Sequence, residues 1–278
     1  MFAKAFASIA IFLGVAVSPG VWAEAPRRII PLTPAIAEMT ADILGEDLDA
    51  IVGVTEYADE PAALLKKKKV GPYHRIHLEA ALALKPDLII AASQGNSKDQ
   101  VERLEKLGVK TLVVDSNTVD DIPKSIQKIG QALDRASTAT LLEKKFSAQL
   151  EEITKRAQTR VKNTKPPRVV FQVGWNPLIV VGGTGFLNES IAKLGAQNVA
   201  SELIQAFPKV SVEAVLSWKP EKIIVLALGK DETRERESIV AWKKLGVQAT
   251  LHRNDAIARP SLRLVQGLYH LEKELFPK

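Results

Sequence analysis

Few residues in this chain could carry out chemistry, and none are spaced as a catalytic set. Cysteine is absent, so there is no thiol nucleophile. Neither a G-x-S-x-G elbow nor an H-E-x-x-H metal motif occurs. The four histidines stand at 74, 77, 252 and 270. His74 and His77 are three apart and could share a metal, but a zinc site wants a third or fourth ligand close by. Two polar residues in a loop is the better reading. Gly182-Gly183-Thr184-Gly185 lacks the Lys-Ser/Thr of a phosphate loop and the order G-x-G-x-x-G, so it reads as a sharp turn. What remains is an aromatic and basic set in expected loops: Tyr57, Tyr73, Arg75, Trp175, Phe207 and Arg259. Singly, each aromatic could be ordinary packing. Gathered on loops around one cleft, they suit the capture of a flat, bulky, partly apolar molecule.

The elements that must position this set are written twice. Residues 78–90 read LEAALALKPDLII and residues 212–224 read VEAVLSWKPEKII, a constant offset of 134 with seven of thirteen positions identical. Each copy is a short helix with a Glu in its first turn, where the helix dipole favours a carboxylate. Lys-Pro stops the helix, and a short apolar strand follows. A second echo, Lys106-Leu107-Gly108-Val109 and Lys244-Leu245-Gly246-Val247, comes later at an offset of 138. Two ordered matches imply duplication of one unit. The fold class expected is α/β, with two Rossmann-like lobes and a cleft between them.

The N-terminal lobe opens with a strand at 27–32. Thr33 is suited to cap the next helix and Pro34 to begin it. Strand-to-helix turns of this kind face the ligand in open α/β sheets, which brings Pro34 and Ala35 to the site. Ile51–Val54 reads as a second strand, and the run Lys66–Lys69 as a solvated turn. Residues 137–162 contain no Gly or Pro and carry apolar side chains at Leu141, Leu142, Phe146, Leu150, Ile153 and Ala157. That pattern is one amphipathic helix, roughly 39 Å long at ~1.5 Å per residue. Falling between the two copies, it reads as the single connection between lobes, and a single helix allows closure of only a few degrees. The C-terminal lobe restarts with a strand at 168–173. Its Gly174-Trp175-Asn176-Pro177 loop stands where the Thr33-Pro34 turn stood. The expected domains are 24–136, a connecting helix at 137–165, and 166–278.

Residues 1–23 read as a secretory signal peptide: Lys4, an apolar run from Ala5 to Val17, a break at Pro19-Gly20, and small residues before cleavage after Ala23. Without a Cys at that point the product is not a lipoprotein, and a soluble, monomeric periplasmic protein is expected. The whole chain carries 38 basic and 32 acidic residues, a net charge of +6. No basic stripe carries interleaved aromatics, so nucleic acid is not an expected partner.

On these residues the chain resembles the periplasmic binding proteins of ABC importers for cobalamin, haem and ferric siderophores. The likeness spans 27–278. It is carried by Leu32-Thr33-Pro34-Ala35, the Leu78-Glu79…Leu84-Lys85-Pro86-Asp87-Leu88-Ile89 phrase, Gln94-Gly95-Asn96 and Arg259-Pro260-Ser261-Leu262-Arg263. The resemblance implies a non-enzymatic solute-binding component that delivers its ligand to transmembrane importer subunits. It also implies that Glu79 and Glu213 meet an Arg pocket on those subunits. Within the family the likeness leans to the cobalamin-binding members. Gly174–Pro177 resembles their corresponding turn, Tyr57 falls at a ligand-contacting Tyr, and Tyr73 and Phe207 fall at Trp positions. Ala92 and Ala256-Ile257-Ala258 stand where those members carry aromatics. The ligand implied is a corrinoid, with haem or a ferric siderophore as the alternative. For haem, Tyr73 or His74 would be the axial ligand, although Pro72 shifts the register by one residue. No resident cofactor is implied.

Overall fold

A computed structural model of the chain describes residues 25–227 and 232–276. The segment read as a signal peptide lies outside the described residues. The N-terminal part runs β1 (Ile29–Pro31), α1 (Pro34–Leu44), β2 (Gly53–Val54), β3 (Lys68–Lys69), α2 (Leu78–Ala83), β4 (Leu88–Ala92), α3 (Lys98–Lys106), β5 (Thr111–Val114) and α4 (Asp121–Ala132). Then comes α5 (Ala136–Asn163). The C-terminal part runs β6 (Arg168–Gly174), β7 (Ile179–Val180), α6 (Phe186–Lys193), β8 (Gln197–Asn198), α7 (Val212–Ser217), β9 (Lys222–Leu226), α8 (Thr233–Lys244), β10 (Ala249–His252) and α9 (Leu264–Leu275).

Every strand pairing among the described residues falls on one side of α5 or the other. Before it, β1, β4 and β5 form a parallel sheet in the order β1-β4-β5, with the β2–β3 pair beside it. After it, the order is β10-β9-β6-β7, with β8 on β6, and only β7 is antiparallel. Strands buried on both faces read as continuous apolar runs. Accordingly β4 is buried at all five residues and β9 at four of five. The expected strand at Ile51–Val54 is shorter, Gly53–Val54, and Ile51 contributes an isolated bridge to Ile29.

The duplication is physical as well as textual. In both copies the lysine before proline is left-handed, Lys85 at φ 46 and Lys219 at φ 51. Proline bars the preceding residue from the helical region, so the chain must leave the helix there. An arginine at the start of each lobe's first strand then caps the exposed carbonyls. Arg28 Nη2 donates to the Leu84 carbonyl at 2.6 Å, and Arg168 Nη2 to the Trp218 carbonyl at 2.6 Å.

The 28 residues of α5 make it ~42 Å long. It is tied to α9 by Glu272, which accepts from Arg156 Nη2 at 2.7 Å and Arg160 Nη2 at 2.6 Å. Burial raises the Glu272 carboxyl, but the two guanidiniums more than offset this and hold it below the usual glutamate value. The stability it contributes is therefore complete above its unfolded-chain pKa and is lost as pH falls through the depressed folded value. Glu272→Gln should lower unfolding free energy by about 2 kcal/mol at pH 7 and by much less near pH 3. Urea midpoints at the two pH values would measure this. An equal loss at both would contradict the ion-pair account.

Candidate functional site

The expected binding residues sit on turns that other side chains hold in place. On the N-terminal side Thr33 Oγ1 accepts from the Ile36 amide at 3.3 Å, capping α1. This sets Pro34 half-buried and Ala35 buried at the first turn. Tyr57 is 60 % exposed on the turn after β2. Lys69 Nζ donates to the carbonyls flanking it, Thr55 at 3.4 Å and Ala58 at 3.1 Å. The lysine run is thus not simply a solvated turn: one of its members braces the Tyr57 turn. Burial lowers the Lys69 ammonium against Asp59 and Glu56, which raise it.

Tyr73 is 36 % exposed. The His74 ring stands edge-on to it, centroids 5.5 Å apart and planes at 87°. Arg75 is exposed, and no ion-pair partner stands beside it among the described residues.

On the C-terminal side Trp175 is half-buried, its ring 5.8 Å from that of Trp242 at 64°. Trp242 is fully buried, and its Nε1 donates to Gln172 Oε1 at 2.7 Å. Asn176 follows, exposed, at φ 56. Phe207 is half exposed on the 199–210 loop, near Ile204 at 87 %. The glycine pair read as a sharp turn is the platform for that loop. Gly182 N–H donates to the Ala206 carbonyl at 2.9 Å and Gly183 N–H to the Leu203 carbonyl at 2.7 Å. A Cβ on Gly182 would lie 2.0 Å from the Gln205 carbonyl oxygen, and one on Gly183 would lie 1.9 Å from that of Ser201. Only glycine permits so close an approach.

Arg259 sits differently from the others. Its Nη1 donates to Glu38 Oε1 at 2.5 Å, and its Nη2 to Asp59 Oδ1 at 2.8 Å and to Asp255 Oδ2. Glu38, only 2 % exposed, also accepts from Ser261 Oγ at 2.5 Å and Arg263 Nη1 at 3.0 Å. The guanidinium expected to meet the ligand is thus committed to carboxylates that join α1, the Tyr57 turn and the segment before α9. Burial pushes the Glu38 carboxyl up, opposed by Ser261, Arg259 and Arg263. Four carboxylates, with Glu60 the fourth, face two guanidiniums here, so the cluster is rich in acceptors.

Glu79 and Glu213 occupy the second position of α2 and α7, both exposed. Sequence reasoning gave no role to Glu38, Asp59 or Asp255, quoted Ser261 only within a family segment, and read Lys69 only as part of a solvated run. Asp59, two residues from Tyr57, was the nearest to a signal. A groove of about 740 Å³ between α4, α5 and α6, and one of about 330 Å³ between α5 and α9, are lined by none of the expected residues. Among the described residues no group of three His, Asp or Glu side chains could hold a metal.

The match to known proteins is broad. Residues 29–259 match the family model described as periplasmic binding protein. The chain belongs to the periplasmic binding protein family. Vitamin B12-binding proteins of Pectobacterium atrosepticum and Salmonella typhi are each 32 % identical to it. The first match covers 72 % of this chain and 71 % of the relative, the second 74 % of each. The solved periplasmic vitamin B12 binding protein of Vibrio cholerae superposes with a TM-score of 0.77 at 24 % identity, over 90 % of this chain and 97 % of that one. A periplasmic haem binding protein of Pseudomonas aeruginosa gives 0.80 at 20 % identity, over 91 % and 94 %. As a family member the chain is the periplasmic, non-enzymatic binding component of an importer, with a small-molecule ligand and a membrane permease as its partners. No helix among its described residues is long and apolar enough to cross a membrane.

Proposed function

We propose that this protein captures a corrinoid in the cleft between its two lobes and delivers it to its permease. The observation that carries this is the set of exposed aromatic faces, Tyr57, Tyr73 and Phe207, each on a turn braced from behind. Pro34, Ala35, Arg75, Trp175 and Asn176 complete the wall. Arg259 serves the site through Asp59, two residues from Tyr57, and Asp255, both about one-third exposed. Their spare carboxylate lone pairs suit a neutral ligand bearing carboxamide N–H groups and disfavour a dianionic one. The names of the curated relatives support the same ligand class.

The second reading is haem. It rests on the Tyr73–His74 pair, with either side chain as the axial ligand to the cargo iron and Arg75 next to it. The protein acts as a monomer, exported by a segment cleaved after Ala23. Glu79 and Glu213 dock it to the permease. Equilibrium dialysis of residues 24–278 against cyanocobalamin should give saturable binding at one site per chain. Retention that never saturates, or none, would overturn the corrinoid reading.

A further inference from the structure

The turn that carries Tyr73, His74 and Arg75 belongs to no helix or strand, yet both of its ends are gripped by one short stretch of chain. Asn96 and Gln100 stand four residues apart, the first just before α3 and the second in its first turn. The bend that carries Asn96 leads through Ser97 into α3, so both side chains come from one continuous strand-to-helix connection. Gln100 takes the far end of the turn: its Oε1 accepts from the Ile76 amide at 3.0 Å and its Nε2 donates to the Ile76 carbonyl at 2.9 Å. Asn96 takes the near end, its Nδ2 donating to the Tyr73 carbonyl at 2.7 Å and the Leu32 carbonyl at 2.9 Å. Its Oδ1 accepts from the Ala92 amide at 2.8 Å. Leu32 and Ala92 lie at the carboxyl ends of β1 and β4, so Asn96 fixes Tyr73 directly to the rim of the sheet. Gly95 lies against the Tyr73 ring, where a Cβ would stand 3.5 Å away.

We infer that Asn96 and Gln100 form a carboxamide clamp whose function is to position Tyr73 for the ligand; this rests on the reading of Tyr73 as a wall of the binding cleft. The residue types follow from what the turn demands. At position 96 one acceptor and two donors are in use at once, and a carboxamide supplies them where a carboxylate cannot. Asp at 96 would keep the Ala92 bond and set charge against two carbonyl oxygens. At position 100 one donor and one acceptor are needed in parallel, as in a single β-bridge. His74 and Arg75, between the gripped ends, are left exposed. Neither Asn96 nor Gln100 needs to touch the ligand, so both are positioning residues.

The consequence is a binding wall that is preformed before the ligand arrives. If releasing the clamp leaves the turn in its binding conformation about one-tenth of the time, apparent affinity falls about tenfold. The test uses Asn96→Ala, Asn96→Asp and Gln100→Ala in the full mature chain, with cyanocobalamin as probe and fluorotyrosine as reporter. The protein has three tyrosines, so the fluorine spectrum holds three resonances, and Tyr73→Phe assigns the relevant one. Each clamp variant should shift or broaden that resonance and weaken cyanocobalamin binding about tenfold. In a Tyr73→Ala background the same changes should cost less than about twofold. Asn96→Asp should not rescue. Gln100→Ala contacts only the turn and leaves both strand ends intact, so it keeps the test sound if Asn96→Ala folds poorly.

Amide exchange adds a ligand-free readout. No amide of residues 72–77 bonds to Asn96 itself, so faster exchange there in Asn96→Ala reports movement of the turn, not a deleted bond. Unchanged affinity in both alanine variants, or an equal loss with and without Tyr73, overturns the inference. Should the wild type bind no cyanocobalamin, the corrinoid reading fails on its own. The Tyr73 resonance and the exchange rates then decide the clamp: movement sustains it and no movement overturns it.

Discussion

Replacing Arg259 with alanine will destabilise the protein by about 3 kcal/mol at neutral pH, because it removes the shorter of the two guanidinium contacts to the buried Glu38 and leaves only Arg263 and the Ser261 hydroxyl to offset its charge. Glu38 is 2 % exposed, and Arg259 supplies one of its two guanidinium partners while also holding Asp59 and Asp255. The sign of the pH dependence follows from the same geometry. Burial already pushes the Glu38 carboxyl up, and removing the arginine removes one of the groups that pull it down. The folded variant then binds a proton that the unfolded chain has released, so its stability falls as pH rises from about 4.5 upward. The deficit relative to wild type should accordingly shrink towards pH 5. Urea unfolding at pH 7 and pH 5 measures both numbers. Arg259→Lys should recover only part of the loss, since an ammonium cannot match a planar fork shared by three carboxylates. A variant as stable as wild type at pH 7 would show that the cluster is not a structural joint.

Exchanging Glu79 and Glu213 together for lysine should abolish uptake through the importer while leaving ligand affinity within about twofold of wild type. Both carboxylates are exposed at the start of six-residue helices, repeated at an offset of 134. Glu213 is held below the usual glutamate value by its own backbone amide and the Ser211 hydroxyl, so it stays charged under mild acidity. A symmetric pair of exposed charges fits a two-fold partner. Reversing both replaces two attractions with two repulsions, a change of several kcal/mol at a desolvated interface. Uptake of labelled ligand into vesicles carrying the importer, beside equilibrium dialysis of the free protein, separates docking from capture. Transport that survived the double change would remove these residues from the docking surface.

Much of this was legible because it is local. The two-copy phrase contains its own helix, stop and strand, and α2–β4 and α7–β9 reproduce it. What escaped depends on distance along the chain. Glu38 reads as one of three polar positions in α1, beside Thr40 and Asp42, and its partner Arg259 is 221 residues away. The four lysines of 66–69 have no period that marks one of them. Only the β2–β3 pairing brings Lys69 under the Tyr57 turn. Proline announces the stop after Lys85 and Lys219, but not that the chain exits left-handed under a capping arginine. The glycines at 182–183 are visible as letters, whereas the backbone pressed against them is not. Trp175 reads as a loop aromatic, and only packing reveals that its ring rests against Trp242.

Capture of a corrinoid would be seen at once in an absorption spectrum. Purified residues 24–278 would be mixed with equal amounts of cyanocobalamin and haemin and then desalted. Retained corrinoid bands without a Soret band are the predicted result. A Soret band alone would contradict the corrinoid assignment and make Tyr73 and His74 the residues to change first, while a colourless protein would contradict both ligands.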